Sequence, residues 1–185
     1  MAFLKEKYNK EVVSKMMEMF GYKNKMAVPK ITSVVVNVGF GKQITDKTKE
    51  EREKIQNHIL EILTAITGQK PSLRKARKSI AGFKLREGLP IGAVVTLRRQ
   101  RMNDFLERLI SLSLPRARDF KGIDKKSIDN SGNLTIGFKD VSSFPEVKFE
   151  KEKEAFSLEA TIKTTAKNKD EGIQLFKLLG FPMKM

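Results

Sequence analysis

Residues 33–38 alternate, with Val34, Val36 and Val38 on one side of an extended chain and Ser33, Val35 and Asn37 on the other. A period of two marks a β-strand with one face made for a core, and Gly39 closes it. This feature constrains the fold most, because such a strand needs neighbours at its edges and cover on one face only.

The flanking segments supply both. Leu4, Tyr8, Val12, Met16 and Phe20 recur every four residues, the spacing of one helix face that ends near Gly21. Asp46 or Thr48 can cap a second helix with the stripe Ile55, Ile59, Ile62 and Ile66, stopped by Gly68. Phe105, Leu106, Leu109 and Leu112 predict a third helix that stops before Pro115, and Ile173, Phe176 and Leu179 a last one. Further strands are expected over 71–74, 93–99, 134–138 and 157–165. The order predicts one α+β domain over 1–185: a mainly antiparallel sheet, helices packed on one face and the other face open. A basic loop over 75–90 would project between neighbouring strands, and 115–133 would be a mobile segment. If helices cover the Val36, Val95 and Ile162 side, the open face carries Asn37, Thr96, Arg98, Thr161 and Lys163, able to reach RNA or simply to be solvated.

A chain of 185 residues can bury such a core without disulfides or metals, and it has no cysteine, which fits a reducing cytosol. No apolar run approaches the ~20 residues that cross a bilayer. Charges interrupt the first fifteen residues, so they do not read as a signal peptide, and the chain should stay in the cytoplasm.

Catalysis finds little support. His58, the one histidine, sits on the second helix with no evident carboxylate or nucleophile beside it in sequence. Glu50, Glu51 and Glu53 suit the positive end of that helix. The GFGK at residues 39–42 lacks the spacing and the Ser or Thr of a phosphate loop. Asp124, Asp129 and Asp140 lack a calcium-loop register. No cofactor, metal or enzymatic reaction is expected.

Binding is better supported. The net charge of +15 exceeds the ~2 to 8 charges that serve solubility in a small domain. A polyanion is implied, and nucleic acid suits it better than a membrane, since no helix sets a strongly basic face against a bulky apolar one. Residues 70–101 carry Lys70, Arg74, Lys75, Arg77, Lys78, Lys84, Arg86, Arg98, Arg99 and Arg101 against Glu87 alone. A solvated face normally mixes both signs, so this stretch reads as a phosphate surface. Gly82, Gly88, Pro90 and Gly92 let the loop bend, and Phe83 can stack on RNA or pack internally.

Several strings carry a family resemblance: TGQKP at 67–71, KARKSIAGFK at 75–84, PIG at 90–92, VTLR at 95–98 and LPRARDFKG at 114–122. With VPKI around Pro29, FPE at 144–146 and TTA at 164–166, the chain resembles, nearly end to end, the bacterial form of the universal large-subunit ribosomal protein L-five family. The resemblance implies a ribosome-associated structural protein of the central protuberance that binds 5S ribosomal RNA. It further implies contact with the large-subunit ribosomal RNA and with other central-protuberance proteins. Carried over, it implies a 5S surface of Lys30, Asn37, Gln69, Lys70, Thr96 and Arg98. The loop residues Arg74, Lys75, Arg77, Lys78, Phe83, Lys84 and Arg86 would reach the P-site transfer RNA. Arg116, Arg118, Asp119, Phe120 and Lys121 would face small-subunit protein thirteen across an intersubunit bridge. Three departures stand out: Ser33 replaces a frequent basic residue, with Lys30 close by; 129–133 lacks a common arginine; and 150–154 lacks a common Arg-Gly pair. The alternative is a free-standing RNA chaperone or regulator with a non-selective basic surface.

Overall fold

The alternation organises the sheet. In the computed structural model, which describes residues 3–118, 120–147 and 156–184, five strands form: β1 (Ile31–Gly39), β2 (Ser72–Lys75), β3 (Pro90–Leu97), β4 (Leu134–Phe138) and β5 (Leu158–Thr164). Their order is β2-β3-β1-β5-β4 and every pairing is antiparallel. Val34 stands opposite Leu97 and Ile162, and Val36 opposite Val95 and Ala160. All six are buried. The helices close one continuous core over this face, contributing Met16, Ile59, Ile66, Phe105 and Phe176. The sheet is thus α+β with one face covered, as expected.

The first helix, α1, runs through Phe3–Lys7, a π-helical turn at Tyr8–Val12, and Val13–Phe20. At 3.6 residues per turn, a stripe spaced every four residues drifts about 40° per step. The wider π turn absorbs part of that drift, so Leu4, Val12 and Met16 all reach the core. Phe20, beyond the π turn, is 37% exposed and lies against Tyr22 instead. Gly21, at φ +68°, ends the helix, its N–H donating to the Met17 carbonyl.

Helix α2 (Lys49–Thr67) starts at Thr48 rather than Asp46. The Thr48 N–H donates to Glu51 at 2.9 Å, and Thr48 Oγ1 accepts from the Glu51 N–H. Gly68, at φ +66°, stops it, and Ile59, Leu63 and Ile66 form its buried line, with Ile55 and Ile62 at the margin.

The third helix, α3, does not stop before Pro115. It comprises Arg99–Arg108, a π turn Leu109–Ser113 and a closing turn Leu114–Arg116. The extra residue in the π turn re-aims the stripe, so Leu114 is buried while Leu112 is 44% exposed. Pro115 is tolerated because it stands at the start of the short segment that follows the π turn, where a missing N–H costs little. The preceding strand also ends earlier than expected: its last ladder pair is Val34 with Leu97, Arg98 caps α3, and Arg99 turns the chain at φ +52°.

Helix α4 (Lys169–Leu179) packs closely on the turn before β4. Within 115–133, Ile123 and Ile128 are buried, and Ile123 is tied to the C-terminal segment by hydrogen bonds to Pro182 (2.8 Å) and from Lys184 (2.9 Å). A Cβ on Gly172 would sit 2.6 Å from the Gly132 Cα, a contact that only backbone movement relieves. Gly172→Ala is therefore expected to lower unfolding free energy by about 1–3 kcal/mol in urea titration. Gly137→Ala, with nothing within 4 Å, should leave it unchanged or slightly raised.

Candidate nucleic-acid interface

Covering one face leaves the other to the opposite parity of each strand. Asn37 lies between Val94 of β3 and Glu159 of β5, and the next row places Val35 between Thr96 and Thr161. Ser33 pairs with Lys163, and Arg74 of edge strand β2 pairs with Gly92. Asn37, Lys163 and Arg74 are exposed, Thr96 and Thr161 half-buried. The sheet's centre is thus amide, hydroxyl and short apolar side chains.

Three of the residues expected to face 5S RNA come together. Asn37 and Thr96 are diagonal neighbours, and Gln69 Nε2 donates to the Thr96 carbonyl at 3.5 Å. Arg101 in turn donates to Gln69 Oε1 at 3.4 Å. Lys70 and Arg98 are exposed at the ends of the neighbouring strands. Lys30 does not join this group. It precedes β1 by one residue and lines a groove with Leu4, Tyr8 and Met102 of the helices; seven residues of extended chain, about 23 Å, separate it from Asn37. Lys163 stands directly opposite Ser33 on β5, and Arg98 lies one position past the ladder on its other side.

The loop over 75–90 is a hairpin almost to its tip. Ala76 donates to Leu89 at 2.8 Å, Gly88 donates to Ala76 at 3.0 Å, and Ile80 and Leu85 exchange hydrogen bonds at 3.0 and 3.1 Å. A 3-10 turn, Ala81–Phe83, and Lys84 at φ +50° reverse the chain. Phe83 is 67% exposed and so lies outside the core. It borders a groove of about 720 Å³ with Phe40, Leu85, Ile91, Lys42 and Lys139.

Most of the expected cations are available to a ligand. Lys70, Arg74, Lys75, Arg77, Lys78, Arg86 and Arg98 are exposed and have no ion-pair partner among the described residues. Lys84 differs: its Nζ lies 2.8 Å from Asp46 Oδ1 and clasps the hairpin tip to the segment before α2. The hydrogen bond and charge of Lys84 hold the Asp46 carboxyl below its ordinary value.

Arg116 is exposed in the last turn of α3. Arg118, Phe120 and Lys121 line a groove of about 570 Å³ with Lys139, Asp140 and Lys184. Asp119 and the segment 150–154 lie outside the described residues. The aspartates weighed as metal ligands serve as local caps: Asp124 accepts from the Lys126 N–H, Asp129 from Ser131 and Asn133, and Asp140 from Ser142. GFGK ends β1 and enters a short helical turn, Gly41–Ile44, with Phe40 buried beneath it.

Two residues escaped the reading of the sequence. Arg108 forms an ion pair with Glu146 and donates to the Ile66 carbonyl at 2.9 Å, bracing α3 against the end of α2. Glu159 places a carboxylate on the open face beside Asn37. Its parity with Thr161 and Lys163 was the signal that could have revealed it.

Comparison with known proteins agrees over the whole chain. Residues 24–86 match the family described as Ribosomal protein L5, and residues 90–183 the one described as the C-terminus of the ribosomal L5 family. The large ribosomal subunit protein uL5 of Geotalea uraniireducens is 48% identical over 184 residues, covering 100% of this chain and 99% of that protein. Its namesakes from Citrifermentans bemidjiense and Geobacter sp. strain M21 are each 50% identical with the same coverage.

The clasp at the hairpin tip has a pH signature. By carboxyl-carbon NMR, Asp46 should titrate below the usual Asp value of about 3.9, so the clasp persists through that range and is lost only as pH falls further. Lys84→Ala should return Asp46 to its ordinary value. An unmoved Asp46 titration would show that the two side chains do not pair in solution.

Proposed function

The chain belongs to the ribosomal protein L5 family, and from that premise we propose that it binds 5S ribosomal RNA through the open sheet face and helps fix it in the central protuberance. As a member of that family it is a structural, non-catalytic constituent of the large ribosomal subunit, in a family for which ribosomal RNA binding is general.

The observation that carries the proposal is the grouping of Asn37 and Thr96 on the open face, with Gln69 bonded to the Thr96 carbonyl and with flanking cations that have no ion-pair partner among the described residues. Phosphate contacts supply affinity, and hydroxyl and amide groups fitted to sugars and base edges supply selection. A helix-backed sheet holds those groups rigid, so little ordering entropy opposes binding.

The hairpin is a second surface. Arg77, Lys78 and Arg86 with the exposed Phe83 form a basic, aromatic-tipped projection at the far end of β3 from Thr96. This separation supports assigning it a different RNA, the P-site transfer RNA, in the cytoplasmic ribosome. Arg116, Arg118, Phe120 and Lys121, at the end of α3 and just beyond it, would face small-subunit protein thirteen. Large-subunit ribosomal RNA and neighbouring central-protuberance proteins complete the partners.

Competition binding at fixed, near-physiological salt tests the reading. 5S ribosomal RNA should displace transfer RNA and an unrelated structured RNA; equal affinities would favour a non-selective chaperone. With ~6 to 10 phosphates neutralised, raising salt from ~50 to ~200 mM should weaken binding by about three to five orders of magnitude. Asn37→Ala or Thr96→Ala should each weaken 5S binding about tenfold, the scale of one buried hydrogen bond. Lys78→Ala should spare 5S binding and loosen transfer RNA on the ribosome. The reverse pattern would exchange the two surfaces.

A further inference from the structure

A carboxylate in the middle of a surface meant for a polyanion needs an explanation. Glu159 is exposed on the open face, opposite Asn37 on one side and Gly137 on the other. No cation pairs with it among the described residues. Of the cations of this face, Lys163 lies two rows further along β5, Arg74 lies on the edge strand two strands beyond Asn37, and Lys139, exposed one residue past β4 on the Gly137 side, makes no ion pair with Glu159 among the described residues. No ion pair therefore neutralises the acid among the described residues.

Its surroundings are arranged for hydrogen bonding. Thr161 Oγ1 donates to Glu159 Oε1 at 3.4 Å and is itself 3.2 Å from Thr135 Oγ1. Oε2 makes no hydrogen bond among the described residues. Beside it Gly137 contributes no side chain, and even an added Cβ there would meet nothing within 4 Å. An acceptor-only group thus stands with no side chain over it on the Gly137 side and the Asn37 amide on its other flank.

We infer that Glu159, flanked by Asn37 and Thr161, is an acceptor subsite that takes a neutral hydrogen-bond donor of the bound RNA rather than a phosphate. The inference rests on the open face being the RNA surface. Two RNA groups have this chemistry: the exocyclic amino group of guanine, the one base donor of the minor groove, and the ribose 2′-hydroxyl. A carboxylate repels phosphate and rewards either donor with a charge-assisted bond. It would therefore set the register of the RNA on the sheet, with phosphates toward the cationic ends and sugars or base edges over the centre.

The sign of one substitution decides the matter. Binding of the full-length chain to in vitro transcribed 5S ribosomal RNA is measured across a salt series for wild type, Glu159→Gln and Glu159→Lys. If the subsite exists, Glu159→Gln weakens binding about tenfold, the difference between a charge-assisted and a neutral bond. The salt slope stays the same, because no phosphate contact is lost. If Glu159 is only an uncompensated surface acid, Glu159→Gln tightens binding or leaves it unchanged and Glu159→Lys tightens it further; either result overturns the inference. Interference mapping with inosine-substituted and 2′-deoxy-substituted transcripts names the donor, as the substitution that weakens wild type but not Glu159→Gln. Interference equal for both proteins at every position also overturns it. Failure of the broader reading looks different: the wild-type chain would show no preference for 5S ribosomal RNA.

Discussion

Strand β1 is hydrogen-bonded on both edges, so its alternation is imposed on the strands around it. Val34 and Val36 must be buried, and each pairs with buried residues of β3 and β5. A slip of one residue would turn both valines to solvent and send Asn37 into the core, where an amide without partners costs several kcal/mol. Register and the identity of the open face are therefore one constraint. The positions of Asn37, Thr96, Thr161 and Glu159 follow from it.

The same constraint separates two kinds of contact. Groups on the sheet are held by ladder hydrogen bonds and a packed core, and present a fixed pattern of amide, hydroxyl and carboxylate. The base of the hairpin after β2 is anchored by buried Ala76 and by Leu89 packed on the core, whereas its tip is held by cross-strand bonds and by the exposed Lys84–Asp46 clasp. Exposed ion pairs contribute little to stability, so the tip is free to adapt to a ligand at small cost. A rigid face beside an adaptable basic arm is consistent with the two RNA contacts proposed above.

Much of this was legible in the amino-acid sequence because it depends on local periodicity. The strand, the Gly21 and Gly68 stops, the capping of α2 and the opposite faces of Val36 and Asn37 all follow from spacings of two or four residues. What was missed depends on the third dimension. Turn widening at Leu109–Ser113 exchanges Leu112 for Leu114 in the core, and residue spacing does not report it. The Asp46 partner of Lys84 lies 38 residues away. Lys30, close to Ser33 in sequence, belongs to the helical side, and Lys163 reaches Ser33 only through the sheet. Glu159 shares the parity of Thr161 and Lys163, but a lone acid leaves no mark on the net charge of a basic chain.

If RNA meets the open face as proposed, the helical face stays free. Lysine acylation footprinting of the full-length chain with and without 5S ribosomal RNA tests it most directly. Lys163 and Lys70 should lose reactivity on binding, while Lys15 of α1 and Lys54 of α2, both exposed on the helices, should react as before. Protection of Lys15 and Lys54 with Lys163 fully reactive would place the RNA on the helices and contradict the account.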